Sequence, residues 1–216
     1  MSNKIIDGGL FITIEGGEGA GKTTLAKKLY DYFTELGYSA IITKEPGGTE
    51  AGKYIRELVN YTELDEKTKL HMFALDRHIH IDSVIRPALN AGKIVICDRY
   101  MLSSFVYDGV GGNVNIEDIL KNHPFDVILP HIELLLDVKP ETSMDRVNND
   151  NREEKTINDS KPFNFHYCIN TVYKYMTYAK SRIVIDANNN ESYVAQQAIR
   201  FINGYITGMK LITYEE

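Results

Sequence analysis

Tryptophan is absent from this chain of 216 residues, and cysteine occurs only twice. Cys97 and Cys168 stand alone with no C-x-x-C spacing, which excludes a disulfide framework and a thiolate zinc site; both read as reduced thiols. No stretch approaches the run of about 18 apolar residues that a membrane helix requires. Residues 1–7 are polar and lack the apolar centre of a secretory signal, so a cytoplasmic protein without a membrane partner is expected. Positive charge is also scarce. Lys and Arg total 24 against 30 Asp and Glu, a net charge of −6, whereas polyanion binders are basic. A nucleic-acid partner is therefore not expected, although a local basic site for a small phosphorylated ligand is compatible with this balance. No repeat or long linker interrupts the chain, and 43% hydrophobic residues suffice for a core, so residues 1–216 read as one domain.

What is present begins at Phe11. An apolar run of strand type, 10–14, passes directly into Gly16-Gly17-Glu18-Gly19-Ala20-Gly21-Lys22-Thr23-Thr24, a complete G-x-x-x-x-G-K-[ST] pattern. Leu25, Leu29, Phe33 and Leu36 then recur at helical spacing. Glycines let backbone N–H groups curl around phosphate oxygens, and the helix N-terminus adds partial positive charge. Lys22 reaches β- and γ-phosphates, and the Thr23 hydroxyl suits Mg²⁺. Strand, glycines, Lys-Thr and helix in register predict a site for a nucleoside triphosphate over Gly16–Thr24.

Further strands are expected at 39–43, 93–97, 132–138 and 182–186. Helices are expected at 50–60, 66–89 with a break or kink near Pro87, 140–148, 163–179 and from Glu191 onward. Strands alternating with helices predict an α/β, three-layer P-loop NTPase fold, a parallel sheet with helices on both faces and the ligand at the strands' carboxyl ends. Residues 148–162, polar and dense in charge, read as a mobile lid. His71, His78 and His80 cluster in sequence, but at about 100° per helical residue His80 points away from the other two, so a structural or surface role is expected.

Several short segments follow the phosphate loop in order: Glu45-Pro46-Gly47-Gly48-Thr49, Ile55-Arg56, Phe73-Ala74-Leu75-Asp76-Arg77, Ile85-Arg86-Pro87-Ala88-Leu89, Cys97-Asp98-Arg99-Tyr100, and Ser103-Ser104 with Tyr107. In this order and spacing, from Phe11 to about Ile206, the chain resembles the thymidylate kinase family. The resemblance implies a P-loop nucleoside monophosphate kinase that moves the γ-phosphoryl of ATP onto dTMP with Mg²⁺, in the supply of DNA precursors, commonly as a homodimer. It implies that Arg99 and Arg56 hold the acceptor phosphate, for which a planar guanidinium fork is suited. Phe73 would stack on thymine and Arg77 donate to a thymine carbonyl. Glu18 would lie near the acceptor sugar hydroxyl and the metal, Asp98 would assist Mg²⁺ through water, and Tyr107 would leave no room for a ribose 2′-hydroxyl. Lys44, Pro46, Ser103, Ser104 and Asp108 complete the acceptor pocket. The loop variables Gly17-Glu18-Gly19-Ala20 carry no cation, so the resemblance implies a catalytic basic residue in the lid: Arg152, with Lys155 as second candidate and Arg146 in the helical stem.

The chain departs from the family pattern at three places. Lys44 replaces an Arg before Glu-Pro, keeping charge without the fork. Asp108 stands where Gln is usual; a Gln amide donates and accepts, whereas an ionised Asp only accepts. Asn151-Arg152-Glu153-Glu154 only approximates the lid pattern Asp-Arg-x-Glu. Other readings are a deoxynucleoside kinase with Glu45 as general base, a kinase for another deoxynucleoside monophosphate, a nucleotide switch, and an inactive ATP-binding relative. The phosphate-directed cations Lys44, Arg56 and Arg99 disfavour a neutral nucleoside acceptor. The only Asn-Lys pair, Asn3-Lys4, precedes the phosphate loop and cannot serve a guanine-reading switch.

Overall fold

The computed structural model describes residues 4–123, 126–149 and 157–213. Five parallel strands form one sheet in the order β2-β3-β1-β4-β5: β1 (Leu10–Glu15), β2 (Ala40–Lys44), β3 (Ile94–Asp98), β4 (Ile132–Asp137) and β5 (Ser181–Asp186). The helices are α1 (Lys22–Glu35), α2 (Glu50–Tyr61), α3 (Glu66–His80), α4 (Arg86–Asn90), α5 (Met101–Ser104), α6 (Ile116–Asn122), α7 (Pro140–Asn149), α8 (Phe163–Tyr175) and α9 (Glu191–Thr213). Among the described residues no helix is long and apolar enough to cross a membrane.

Strand alternation divides the core in two. Leu10, Ile12 and Ile14 of β1 meet α1 and α9 through Leu25, Leu29, Phe33, Ala198 and Ile202. Phe11, with Val95 and Cys97 of β3, turns to the opposite face and packs on Leu70, Ile81, Met101 and Tyr173. A central strand buried on both sides must be apolar on both, which is why β1 reads as an unbroken run.

The long helix is irregular near Pro87, as expected. It does not stop but widens one turn before the proline: Ile81–Ile85 is π-helical, with the Arg86 N–H donating to the Ile81 carbonyl, and α4 continues to Asn90. A wider turn before proline accommodates a ring that lacks an N–H and would crowd the carbonyl four residues back. A second π-helical stretch, Phe105–Gly111, extends α5 and carries Tyr107 and Asp108. Helix α8 ends at Tyr175, four residues before its expected end, because Met176 turns extended.

Candidate active site

At the carboxyl ends of β1, β2 and β3 the chain encloses a cavity of about 870 Å³. One end is the phosphate loop. Gly16 and Gly19 take positive φ of 145° and 67°, and a Cβ would come within 2.7 Å of the Leu136 carbonyl at Gly16 and 2.6 Å of the Ser143 carbonyl at Gly19. Side chains are excluded there by both conformation and space. Lys22 is 7% exposed, and its Nζ donates to the Gly16 and Gly17 carbonyls at 3.1 and 2.7 Å. Burial, with the Arg99 guanidinium nearby, pulls the Lys22 amine down to about 8. The Thr23 hydroxyl donates to Asp98 Oδ2 at 2.6 Å, joining the start of α1 to the end of β3. A hydroxyl and a carboxylate side by side are hard oxygen donors of the type Mg²⁺ takes alongside phosphate oxygens and water.

Arg99 lies at the centre, in the left-handed region at φ 69°. Its Nη2 donates to Glu18 Oε1 at 2.8 Å, its Nη1 to the Gly16 carbonyl at 3.1 Å and the Tyr173 hydroxyl at 3.2 Å, and its guanidinium lies 4.9 Å from the Tyr107 ring centroid. Tyr107 also donates to Glu18, at 3.3 Å. Beneath them lies a carboxylate that sequence reasoning missed. Glu15, 1% exposed, accepts from the Tyr100 N–H at 2.8 Å and the Ser103 hydroxyl at 2.7 Å. Burial and then the neighbouring Glu133 raise Glu15 to about 8. A lone acid closing an otherwise apolar strand was the available signal.

The far end is built from α3. Arg77, 3% exposed, donates from Nε to Glu45 at 2.7 Å and from Nη1 to Ser104 at 3.1 Å. Glu45 accepts from His80 Nδ1 at 2.8 Å, and His80 Nε2 meets the Thr43 hydroxyl at 2.5 Å. His80 is thus a buried structural residue, while His71 and His78 are exposed. His123 packs on Arg77, and burial with that guanidinium pushes it down to about 3. Asp76 accepts from the Gly47 N–H at 3.4 Å; burial and then Glu45 raise it to about 6. Phe73, one turn before Arg77, lines the cavity half-buried.

Of the residues expected from sequence, Glu18 through Thr24 line one end. Lys44, Pro46, Arg56, Phe73, Arg77, Asp98, Arg99, Ser103, Ser104, Tyr107 and Asp108 line the remainder. Gly16 and Gly17 sit behind, turning their carbonyls to Lys22. Arg56 Nη1 donates to the Pro46 carbonyl at 3.5 Å. Arg146 of α7 reaches the cavity too, with Nη1 on the Gly19 carbonyl at 3.3 Å. Arg152 and Lys155 lie outside the described residues.

A parallel sheet with a phosphate loop after its central strand, opening on a second cluster of cations, defines a P-loop kinase. The sequence model of the family Thymidylate kinase matches residues 14–199. Thymidylate kinase of Shouchella clausii is 35% identical over 209 residues, covering 94% of this chain and 98% of that protein. Thymidylate kinase of Halalkalibacterium halodurans is 35% identical over 201 residues, covering 90% and 96%, and that of Ligilactobacillus salivarius 34% over 206, covering 92% and 99%. The chain belongs to the thymidylate kinase family and is a phosphotransferase.

Proposed function

We propose that this protein transfers the γ-phosphoryl group of ATP to dTMP, giving ADP and dTDP, with Mg²⁺. The observation that carries this reading is one cavity with two cationic stations: Lys22 and the loop amides at one end, Arg99 with Arg56 and Lys44 towards the other. A single triphosphate needs only the first. Two anionic substrates need both, because bringing a triphosphate and a second phosphate together without cations costs far more than alignment recovers.

The acceptor phosphate has a second pKa of about 6 and is already nucleophilic at neutral pH, so no general base is required. Arg99 holds that phosphate, Glu18 orients Arg99 and receives the sugar hydroxyl, and Tyr107 closes the space beside C2′. Phe73 stacks on the base and Arg77 donates to it; Ser103, Ser104 and Asp108 border the same pocket. Glu45, tied to Arg77 and His80, acts as a structural anchor rather than the proton acceptor a nucleoside kinase would need. Thr23 and Asp98 would hold Mg²⁺, which supplies charge neutralisation between the β- and γ-phosphates. Ala187, Asn189 and Asn190 line the cavity where the adenine of ATP would lie. The same reading takes the chain as one cytoplasmic domain with its lid at about 148–162. It also takes it as a homodimer, in which a second copy covers exposed Tyr54, Leu58 and Tyr61 of α2 and Leu75 of α3.

A coupled assay with Mg·ATP against dTMP, dUMP, dCMP and thymidine tests the assignment. Turnover of dTMP with none of thymidine is expected; comparable turnover of the two would overturn it. The lid is tested separately. Arg152→Ala is expected to lower kcat strongly at little-changed dTMP KM, the pattern of a contact made in the transition state. Lys155→Ala is expected to do less, because an ammonium lacks the guanidinium fork. A silent Arg152→Ala beside an inactive Arg146→Ala would move the catalytic cation to α7.

A further inference from the structure

Two separate routes lead from Arg99 to one buried acid, Glu15 at the end of β1. The first runs through the backbone. Glu15 Oε1 accepts from the Tyr100 N–H at 2.8 Å, so the peptide that leaves Arg99, itself left-handed at φ 69°, is tied to β1. A non-glycine residue in that region is strained and persists only where its surroundings fix it. The second route runs through side chains. Arg99 Nη1 donates to the Tyr173 hydroxyl at 3.2 Å and to Ser103 Oγ at 3.4 Å, and these two hydroxyls lie 2.8 Å apart. Ser103 donates to Glu15 Oε2 at 2.7 Å, and the Tyr173 hydroxyl lies 3.4 Å from the same oxygen. A guanidinium only donates and a carboxylate only accepts, so the two ends set the direction of every bond between them. The hydroxyl protons turn towards Glu15, and the hydroxyl lone pairs are left to Arg99. Glu15 does not itself line the cavity, so it reaches a substrate only through these groups.

We propose that Glu15 is a positioning residue for the acceptor phosphate: by fixing the peptide after Arg99 and the polarity of the Ser103 and Tyr173 hydroxyls, it aims the Arg99 guanidinium at the incoming phosphate. This rests on the acceptor site proposed above. Glutamate suits the position because both of its oxygens accept. A Gln amide of the same size carries one acceptor and one donor, so either the Tyr100 N–H or the Ser103 hydroxyl meets an NH₂ group. With the NH₂ on the Ser103 side, the hydroxyls reverse and turn their protons on Arg99. With it on the Tyr100 side, the peptide after Arg99 loses its tie. Burial and then Glu133 favour the neutral acid, whereas Ser103, Arg99 and the Tyr100 N–H favour the ionised one. The comparison of variants therefore belongs at about pH 8.5, above the value of about 8 to which Glu15 is raised.

Arg99 holds only the phosphate of the acceptor, so thymidine, used as a competitive inhibitor without phosphate, separates lost aim from general damage to the pocket. In the active enzyme Glu15→Gln is expected to raise the dTMP KM about tenfold, while the thymidine inhibition constant and the ATP KM change less than about twofold. In an Arg99→Ala background nothing remains to aim, and adding Glu15→Gln is expected to leave the dTMP KM where Arg99→Ala alone puts it. Tyr173→Phe keeps the packing and interrupts the side-chain route alone. It is expected to give the same pattern at about threefold, and it decides the question if Glu15→Gln fails to fold. A dTMP KM unmoved by whichever of the two variants folds would overturn the role of Glu15. So would an equal weakening of dTMP, thymidine and ATP, the sign of a merely structural acid, or effects of Glu15→Gln and Arg99→Ala that multiply. Each of these leaves the acceptor site standing, whereas absence of dTMP turnover in the unmodified enzyme would overturn that site and the role of Glu15 with it.

Discussion

Lys22→Ala is expected to lower kcat by about 10²–10³-fold at saturating ATP and dTMP, the loss that follows removal of one transition-state donor. The side chain is buried and held against two loop carbonyls, so its amine is stored within the loop proposed to receive the phosphates. Its lowered pKa reflects this setting: burial and the Arg99 charge both work against the ammonium. A triphosphate entering the loop reverses the balance, supplying the negative charge that restores full protonation. Alanine leaves the charge developing on the migrating group without this partner. Single-turnover measurements at saturating substrates separate that loss from weaker ATP binding, and a thermal melt checks that the loop survives. A rate near that of the unmodified protein would remove Lys22 from the transition state.

Arg99→Ala is expected to lower kcat/KM for dTMP by about 10²–10³-fold while changing the KM for ATP much less. Two effects add. The acceptor phosphate loses its guanidinium fork, and Glu18, 6% exposed, loses the cation 2.8 Å from it. The buried carboxylate, stripped of that positive charge, then faces the incoming dianion and repels it. Arg99→Lys is expected to recover part of the loss, since charge returns without two-point geometry. Titration of dTMP at fixed ATP measures both variants. An unchanged dTMP KM in Arg99→Ala would place the acceptor phosphate elsewhere.

Much of this site lay in plain view in the chain. The phosphate loop is one contiguous segment whose chemistry depends on residue type and spacing, and every described residue of it stands where that spacing implies. Phe73 and Arg77 are one helical turn apart, so their common face follows from period alone. Arg99, Ser103, Tyr107 and Asp108 were named from short segments, but their orientation was not readable. The left-handed backbone at Arg99 and the π-helical turn from Phe105 to Gly111 aim them, and neither leaves a period in the sequence. The irregularity expected near Pro87 is there, but whether the helix stops or widens ahead of a proline was likewise not readable.

Sequence by itself determined the alternation of buried strands and amphipathic helices, hence the parallel sheet, and the position of the glycine-rich Lys-Thr loop at the end of its central strand. Both follow from local rules, the two-residue and 3.6-residue periods and the conformational demands of glycine. Only the tertiary structure decided which groups neutralise and hold the side chains of the site. Glu15 meets Tyr173 across 158 positions, Ser143 holds the Glu18 carbonyl across 125, and Glu45 draws Arg77 and His80 into one buried network. Such pairs are set by the packing of distant elements in a low-dielectric interior, where each buried polar group must find a partner. No local pattern records that partner, and the unpartnered oxygen of Asp108 became visible only once the fold had enclosed it.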